Sequence, residues 1–242
     1  MTDITGLRTA ITGLLAFTAA EEEMLLATAR LGPVTPGDPG CWAAIPVISH
    51  NTDFKGQQVR RLTDLRAGTT PPEFTEIDHQ SAEVYQHYAE RPADQVARES
   101  RDTTAALIDG LAATTDEDLL DPARNPWLRG RQLSLQIIVR GFWHPLGHLG
   151  EYYAAHGQPG RAVRLAEHTT AAAVYLGAPP AAQGMAFYNL ACAQAQASLV
   201  GGAVDSLGEA VRLNPDLRVN ARRDADLNRL RENTEFCALI AD

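Results

Sequence analysis

An all-α fold is what this sequence predicts, and three observations predict it. Alanine, leucine, arginine, glutamate and glutamine are abundant, long segments carry apolar residues at helical spacing, and alternating β-branched runs are scarce. The 242 residues suffice for one large domain or two small ones with a sizeable core. A 45% hydrophobic and 21% charged content fits a soluble globular protein.

The first helix is expected over about residues 3–30, where Ile4, Leu7, Ile11, Leu14, Leu15, Phe17, Met24 and Leu25 supply a broad apolar stripe. It ends at LGPVTPGDPG, whose prolines and glycines make a loop. A second helix runs from about Trp42 to Arg66, with Pro46 tolerated near its first turn and Ile45, Ile48, Thr52, Phe54, Val59 and Leu62 facing inward. A third helical region is expected from about Phe74 to Ala113, interrupted near ERPAD, where Pro92 can start a new helix. TTDEDLLDPARNPWLRGRQ reads as a loop with one turn of helix after Thr115, which has Asp118 at the spacing of a capping box. The next helix, about Leu133–His156, contains Gly141 and Pro145. Proline at 145 removes the bond its N–H would give to the Gly141 carbonyl, so a kink is expected there. Four long helical regions joined by loops make a helix bundle of residues 1–157.

Beyond residue 157 the texture changes to short alanine-rich pieces, and an internal repeat becomes testable. With Pro215 as the closing proline of a repeat of about 34 residues, the landmark positions hold Phe187, Leu190, Ala191, Gln194, Ala203, Leu207 and Ala210. Only Gln194 departs from the tetratricopeptide pattern. The same template placed earlier puts Leu149, Gly150 and Tyr153 on its Leu, Gly and Tyr positions, Gly157 at the turn, and Ala162 and Ala166 on the small-residue positions. Residues 184–217 resemble a tetratricopeptide repeat strongly, and 143–176 more weakly. The chain is therefore read as a bundle over 1–157 and a repeat-like extension over 158–242, sharing the helix 133–157. With fewer than the three repeats needed for independent stability, the extension is expected to dock on the bundle or to form a homodimer surface.

Thirty acidic against 21 basic residues give a net charge of −9, which repels phosphate, so no nucleic-acid partner is expected. The apolar runs are too short or too interrupted to cross a bilayer, and the N-terminus lacks the pattern of an export signal. Cys41, Cys192 and Cys237 lie far apart, with no C-x-x-C pair, which fits a reducing cytoplasm.

Chemistry concentrates in FWHPLGHLGEYYAAHG. His144 and His148, four residues apart, point the same way from one helix and can present two imidazoles to one ion. His50, in the apolar part of the second helix, is the best third ligand. Three neutral imidazoles with an open position suit Zn²⁺, Ni²⁺ or Fe²⁺. In isolation the pair fits half-buried, hydrogen-bonded histidines beside Trp143 better than a ligand pair, because the spacing arises easily by chance. His79, His87 and His168 read as solvated or as residues that support the ligands from behind, and His156, beside Gly157, as a helix C-terminal residue favoured by the dipole. Glu151 reads as a surface glutamate or as a carboxylate that orients an imidazole.

Residues 1–157 resemble the DinB-like four-helix bundle superfamily, in which a Trp-initiated helix carries one histidine and the final long helix carries H-x-x-x-H. CWAAIPVISHNTDFKGQQVRRL and WHPLGHLGEYY stand in those places and that order. The segment EIDHQSAEVYQHYAERPADQVARESRDTTAALIDGLAATTDEDL further resembles the branch that includes the colibactin self-resistance cyclopropane hydrolase. AAIPVI replaces the usual polar start of the second helix. The resemblance implies a divalent metal on His50, His144 and His148, and a bound water or low-molecular-weight thiol that attacks a small-molecule electrophile in detoxification or self-resistance. Tyr85 and His87 would donate or accept a proton, and Trp42, Tyr88 and Trp143 would wall the substrate pocket; Tyr85 equally fits a core residue, and aromatics at such positions more often only pack. Two other readings stand beside this one: a metal-free cyclopropane- or epoxide-type hydrolase, and a non-catalytic scaffold built on the repeat segment.

Overall fold

The structure is a computed structural model, and it describes residues 4–28, 42–72 and 82–241. Among these residues every regular element is helical and none is a strand. They form two compact units, Met1–His148 and Leu149–Asp242. The division falls within the helical segment that the two expected modules share.

In the first unit, α1 (Ile4–Thr28) buries Ile11, Leu15, Thr18, Glu22 and Leu25. This 4-3-4-3 spacing makes one narrow stripe along the helix. The broad apolar stripe expected from the sequence is narrower in the fold: Met24 is exposed, and Ile4, Leu7, Leu14 and Phe17 are half buried. Two of the five stripe positions are polar, and the reason lies on α2 (Ala44–Arg66).

That helix is buried on every side from Ala44 to Thr52. Further along, Lys55, Gln58 and Arg61 are buried, while Val59, expected to face inward, is only half buried. Asn51, Lys55 and Gln58 recur at i, i+4 and i+7 and so share one face. Lys55 Nζ lies 2.5 Å from Glu22 Oε2, and both side chains are sealed from solvent. The ammonium also donates to Thr104 Oγ1 at 3.0 Å and Ser100 Oγ at 3.4 Å. Ser100 donates in turn to the same Glu22 oxygen at 2.6 Å, and Asn51 Nδ2 donates to the other at 3.2 Å. A buried ion pair survives desolvation only when its remaining donors and acceptors are met, and this network meets them from three helices.

Two helices follow, α3 (Ala82–Ala89) and α4 (Ala93–Ala113). The break between them falls at Glu90–Pro92, as expected, and Pro92 caps α4. The expected start of this region, 74–81, lies outside the described residues. Packing of α4 is against both α1 and α2. At α5 (Asp116–Leu120) Thr115 accepts the Asp118 N–H at 3.1 Å, and its hydroxyl donates to Asp118 Oδ2 at 2.7 Å, the expected capping pair. A groove of about 460 Å³ between α2 and α4, lined in part by Leu62, Arg66, Asp109 and Asp118, includes none of the histidines.

The last segment of this unit is α6 (Leu133–Ile138), a π turn over Val139–Trp143, and α7 (His144–Ala155). Where a kink was expected, the chain widens by one residue, and His144 N–H bonds the Val139 carbonyl five residues back. Pro145 thereby becomes the second residue of α7, at the start of an α-helical run, where a missing N–H is tolerated. The buried residues Leu133, Ile137, Gly141 and Pro145 recur every four positions. An ideal helix would drift about 40° per step on that spacing, and the wider turn takes up part of the drift. A Cβ at Gly141 would overlap Leu15 Cδ2 and come within 3.0 Å of Leu107 Cδ2, so glycine lets this turn lie close to α1 and α4.

In the second unit, Gly157 takes φ 73° in the turn before α8 (Pro159–Tyr175), a conformation that favours glycine. α8 packs on α9 (Pro180–Gln196), and α9 on α10 (Val200–Leu213). Ala191, Ala195, Ala203 and Ala210 are fully buried, so small side chains let α9 and α10 approach closely. Gln194, the residue that departs from the repeat pattern, accepts the Ser206 hydroxyl at 2.8 Å and ties the two helices together. α11 (Leu217–Ala221), a 3-10 turn over Ala225–Leu230 and α12 (Thr234–Ile240) add Leu217, Ala221, Leu227, Leu230 and Phe236 to the same core. Tyr188 donates to Asp224 Oδ2 at 2.8 Å, while Asp224 Oδ1 accepts the Asp226 N–H at 3.0 Å and caps the 3-10 turn. Burial, with Asp224 close by, pushes both the Tyr188 hydroxyl and the Cys192 thiol up, so both stay protonated. No described helix is long and apolar enough to cross a membrane.

Two stability measurements test this packing. Gly141→Val should cost about 1–3 kcal/mol through overpacking, whereas Gly13→Ala, in open space on α1, should gain up to about 1 kcal/mol. Equal urea midpoints for Gly141→Val and wild type would contradict the close approach. Lys55→Met should cost about 3–5 kcal/mol by stranding Glu22, and adding Glu22→Leu should recover most of that loss. No recovery in the double variant would mean that the pair is not mutually dependent.

Candidate metal centre

The histidine centre is assembled by two helices of the first unit. Trp42 and the apolar run Ala44–Ile48 bury the start of α2 and carry His50 inside, where it is 1% exposed. From the other side, the π turn delivers His144 and, one helical turn later, His148, both half buried. His50 Nε2 and His144 Nε2 lie 3.1 Å apart. The His148 ring stands edge-on to both, with its centroid 4.8 Å from His50 and 4.5 Å from His144. One nitrogen from each residue falls in a group whose members all lie within 4.8 Å of one another, so the three could hold a metal ion.

The spacing suits that task. Two nitrogens bound to one Zn²⁺ at about 2.0–2.1 Å sit roughly 3.3 Å apart in a tetrahedral site, close to the His50–His144 separation. The donor set is three imidazoles with no carboxylate, which favours borderline ions such as Zn²⁺, Ni²⁺ and Fe²⁺ over Mg²⁺ or Ca²⁺.

Aromatic rings surround the centre. Phe54, one turn after His50, stacks on His144 at 4.2 Å and lies 4.6 Å from His50. Trp42 and Tyr88 approach His50 edge-on at 6.0 and 6.4 Å. Tyr85 meets the Trp42 ring at 5.5 Å, and the guanidinium of Arg140 lies over the Phe54 ring at 4.9 Å. These rings place His50 in apolar surroundings, where electrostatic interactions are stronger than in water, while His144 and His148 stay half buried.

Tyr88 hydroxyl donates to Asp53 Oδ2 at 2.7 Å, and burial followed by that carboxylate raises it far above the usual phenol range. Burial also raises Tyr85. Both phenols stay protonated at neutral pH, and the Tyr88 proton is committed to Asp53.

Of the other residues singled out by the sequence, His87 is exposed on α3 and meets only the Tyr88 ring, at 5.7 Å, among the ring contacts found. Trp143 is half buried, and its indole N–H has no hydrogen-bond partner among the described residues. His156 Nδ1 pairs with the Tyr152 carbonyl at 2.8 Å, and its ring stacks on Tyr152 at 4.0 Å, as suits a helix-terminal residue. Glu151 is exposed and raises the Asp226 carboxyl through charge repulsion, after burial and the Asp224 charge. His168 is exposed, and His79 lies outside the described residues. Sequence reasoning missed Asp53 and Asn51, which flank the histidine on α2. Their signal was a polar NTD directly after His50, within an otherwise apolar helix start.

Tag-free protein should bind about one divalent ion per chain by elemental analysis, and His50→Ala, His144→Ala or His148→Ala should each lower affinity at least about 100-fold, while His87→Ala leaves it unchanged. Unchanged binding in all three ligand variants would remove the centre. The chain itself matches no protein-family model, no curated protein and no solved structure, so the reading of this site rests on its own geometry.

Proposed function

We propose that the chain is a DinB-like small-molecule enzyme in which His50, His144 and His148 hold one divalent ion, and that it opens a reactive electrophile by adding water or a low-molecular-weight thiol. The observation that carries this reading is the convergence of three imidazoles from two helices inside an aromatic wall. Zn²⁺, Ni²⁺ or Fe²⁺ bound there would supply Lewis acidity, bringing the pKa of a coordinated water or thiol towards neutrality.

The chain's own residues do the rest. Phe54 packs against both His50 and His144, and Trp42 against His50, which holds these two imidazoles in place. Tyr88 is held by Asp53 and stays protonated, which fits a pocket wall that presents a fixed dipole. Of the two proton-transfer candidates, Tyr85 is favoured by its contact with Trp42, as a donor to a leaving oxygen or carbon. His87 lies outside the ring cluster and is better suited to the solvent side of that exchange.

The second unit, with its alanine-lined α9–α10 pair, is read as a tetratricopeptide-like extension. Free thiols at Cys192 and Cys237 fit a reducing cytoplasm, where detoxification or self-resistance would act.

The test is turnover of strained epoxides and cyclopropanes by tag-free protein, with water alone and with a panel of small thiols, read by mass spectrometry. Activity should vanish on chelation, return with added Zn²⁺, Ni²⁺ or Fe²⁺, and be absent in His144→Ala. Turnover that persists in chelated protein and in His144→Ala would replace this reading with a metal-free hydrolase. Absence of turnover, together with stoichiometric capture of a protein partner through residues 158–242, would replace it with a scaffold.

A further inference from the structure

The turn that carries His144 is held from outside its own helix. Pro145 has no N–H to give back to the preceding turn, and the π turn before it has already widened the backbone ladder. Asn51 stands opposite. It is fully buried, and its side-chain Nδ2 donates to the Pro145 carbonyl at 3.4 Å and to Glu22 Oε1 at 3.2 Å. Asn51 follows His50 in sequence, and Pro145 follows His144. One amide therefore links the two backbones at the level where the two imidazoles meet at 3.1 Å. The other end of that link is the Glu22–Lys55 pair, whose carboxylate cannot shift without stranding a buried ammonium.

We infer that Asn51 is a positioning residue for the histidine centre: its amide clamps the Pro145 turn to the buried ion pair and so sets His144 against His50. This rests on the metal-site reading. A leucine of similar volume would fill the same space but leave the Pro145 turn untethered. Ser100 offers a matched control, because from α4 it donates to Glu22 at 2.6 Å and accepts from Lys55 at 3.4 Å, with no hydrogen bond to α7 among the described residues.

The experiment compares full-length wild type, Asn51→Leu and Ser100→Ala, with folding checked by circular dichroism and urea midpoints. Co²⁺ serves as the metal probe, read by its visible absorption and its affinity. Asn51→Leu is expected to bind Co²⁺ about 10–100-fold more weakly with an altered visible band. Ser100→Ala is expected to lose stability but keep the wild-type band and affinity. If Asn51→Leu does not fold, Asn51→Ser, too short to span both acceptors, takes its place with the same expectation. Wild-type band and affinity in the Asn51 variant, or equal losses in the Asn51 and Ser100 variants, would overturn the inference. A metal-free readout separates it from the site itself. The hydrogen-bonded imidazole N–H between His50 and His144 should give a low-field proton resonance in apo wild type and apo Ser100→Ala, and none in the Asn51 variant. Wild type that binds no Co²⁺ but shows this pattern would sink the metal reading and leave the positioning role standing; a resonance retained in the Asn51 variant would sink the positioning role.

Discussion

The first unit is organised around one buried charge pair. Glu22 and Lys55 lie sealed between α1, α2 and α4, and the bonds that compensate them come from two helices: Ser100 and Thr104 on α4, and Asn51 on α2 itself. Such a pair contributes little net stability compared with apolar packing, because desolvation offsets most of the attraction. What it imposes is register. A helix that slid by one residue would strand a full charge in the core, so the polar face of α2 can meet α1 and α4 in only one way.

That constraint reaches the histidines through the last helical segment. Gly141 lets the π turn lie against Leu15 and Leu107, and Pro145 then begins α7 close enough for Asn51 to touch its carbonyl. Directly after the π turn, His144 comes against His50 and Phe54 while Leu146 stays buried. Packing and chemistry are thus set by the same few backbone choices: a glycine with no Cβ, a proline with no N–H, and one wider turn between them.

The electrostatics of the centre are set by its surroundings. Three imidazoles sit among aromatic rings, with Asp53 engaged by Tyr88 and the Arg140 guanidinium over Phe54. An ion held there would meet imidazoles and aromatic rings rather than carboxylates. In the second unit the polar cluster has the opposite character. Tyr188, Cys192 and Asp224 share hydrogen bonds within an alanine-rich core, and burial keeps the thiol and phenol protonated.

Helix content and most helix ends were legible in the sequence, because apolar spacing, Thr115 with Asp118, Pro92 and Gly157 act locally on the backbone. The histidine group was legible too, since His144 and His148 share a face by helical periodicity alone and His50 stood out in an apolar run. What the sequence concealed was the inside of α2. Asn51, Lys55 and Gln58 look like a solvated face, and Glu22 looks like one of three surface glutamates in a row, until α1 and α4 close over them. The kink expected at Pro145 likewise became a π turn because Gly141 can be pressed against α1. Local chemistry determined which helices form and where histidines sit on them. Only the tertiary structure decided which polar residues are interior, because a charge is buried or exposed according to what packs over it, and that depends on partners far away in the chain.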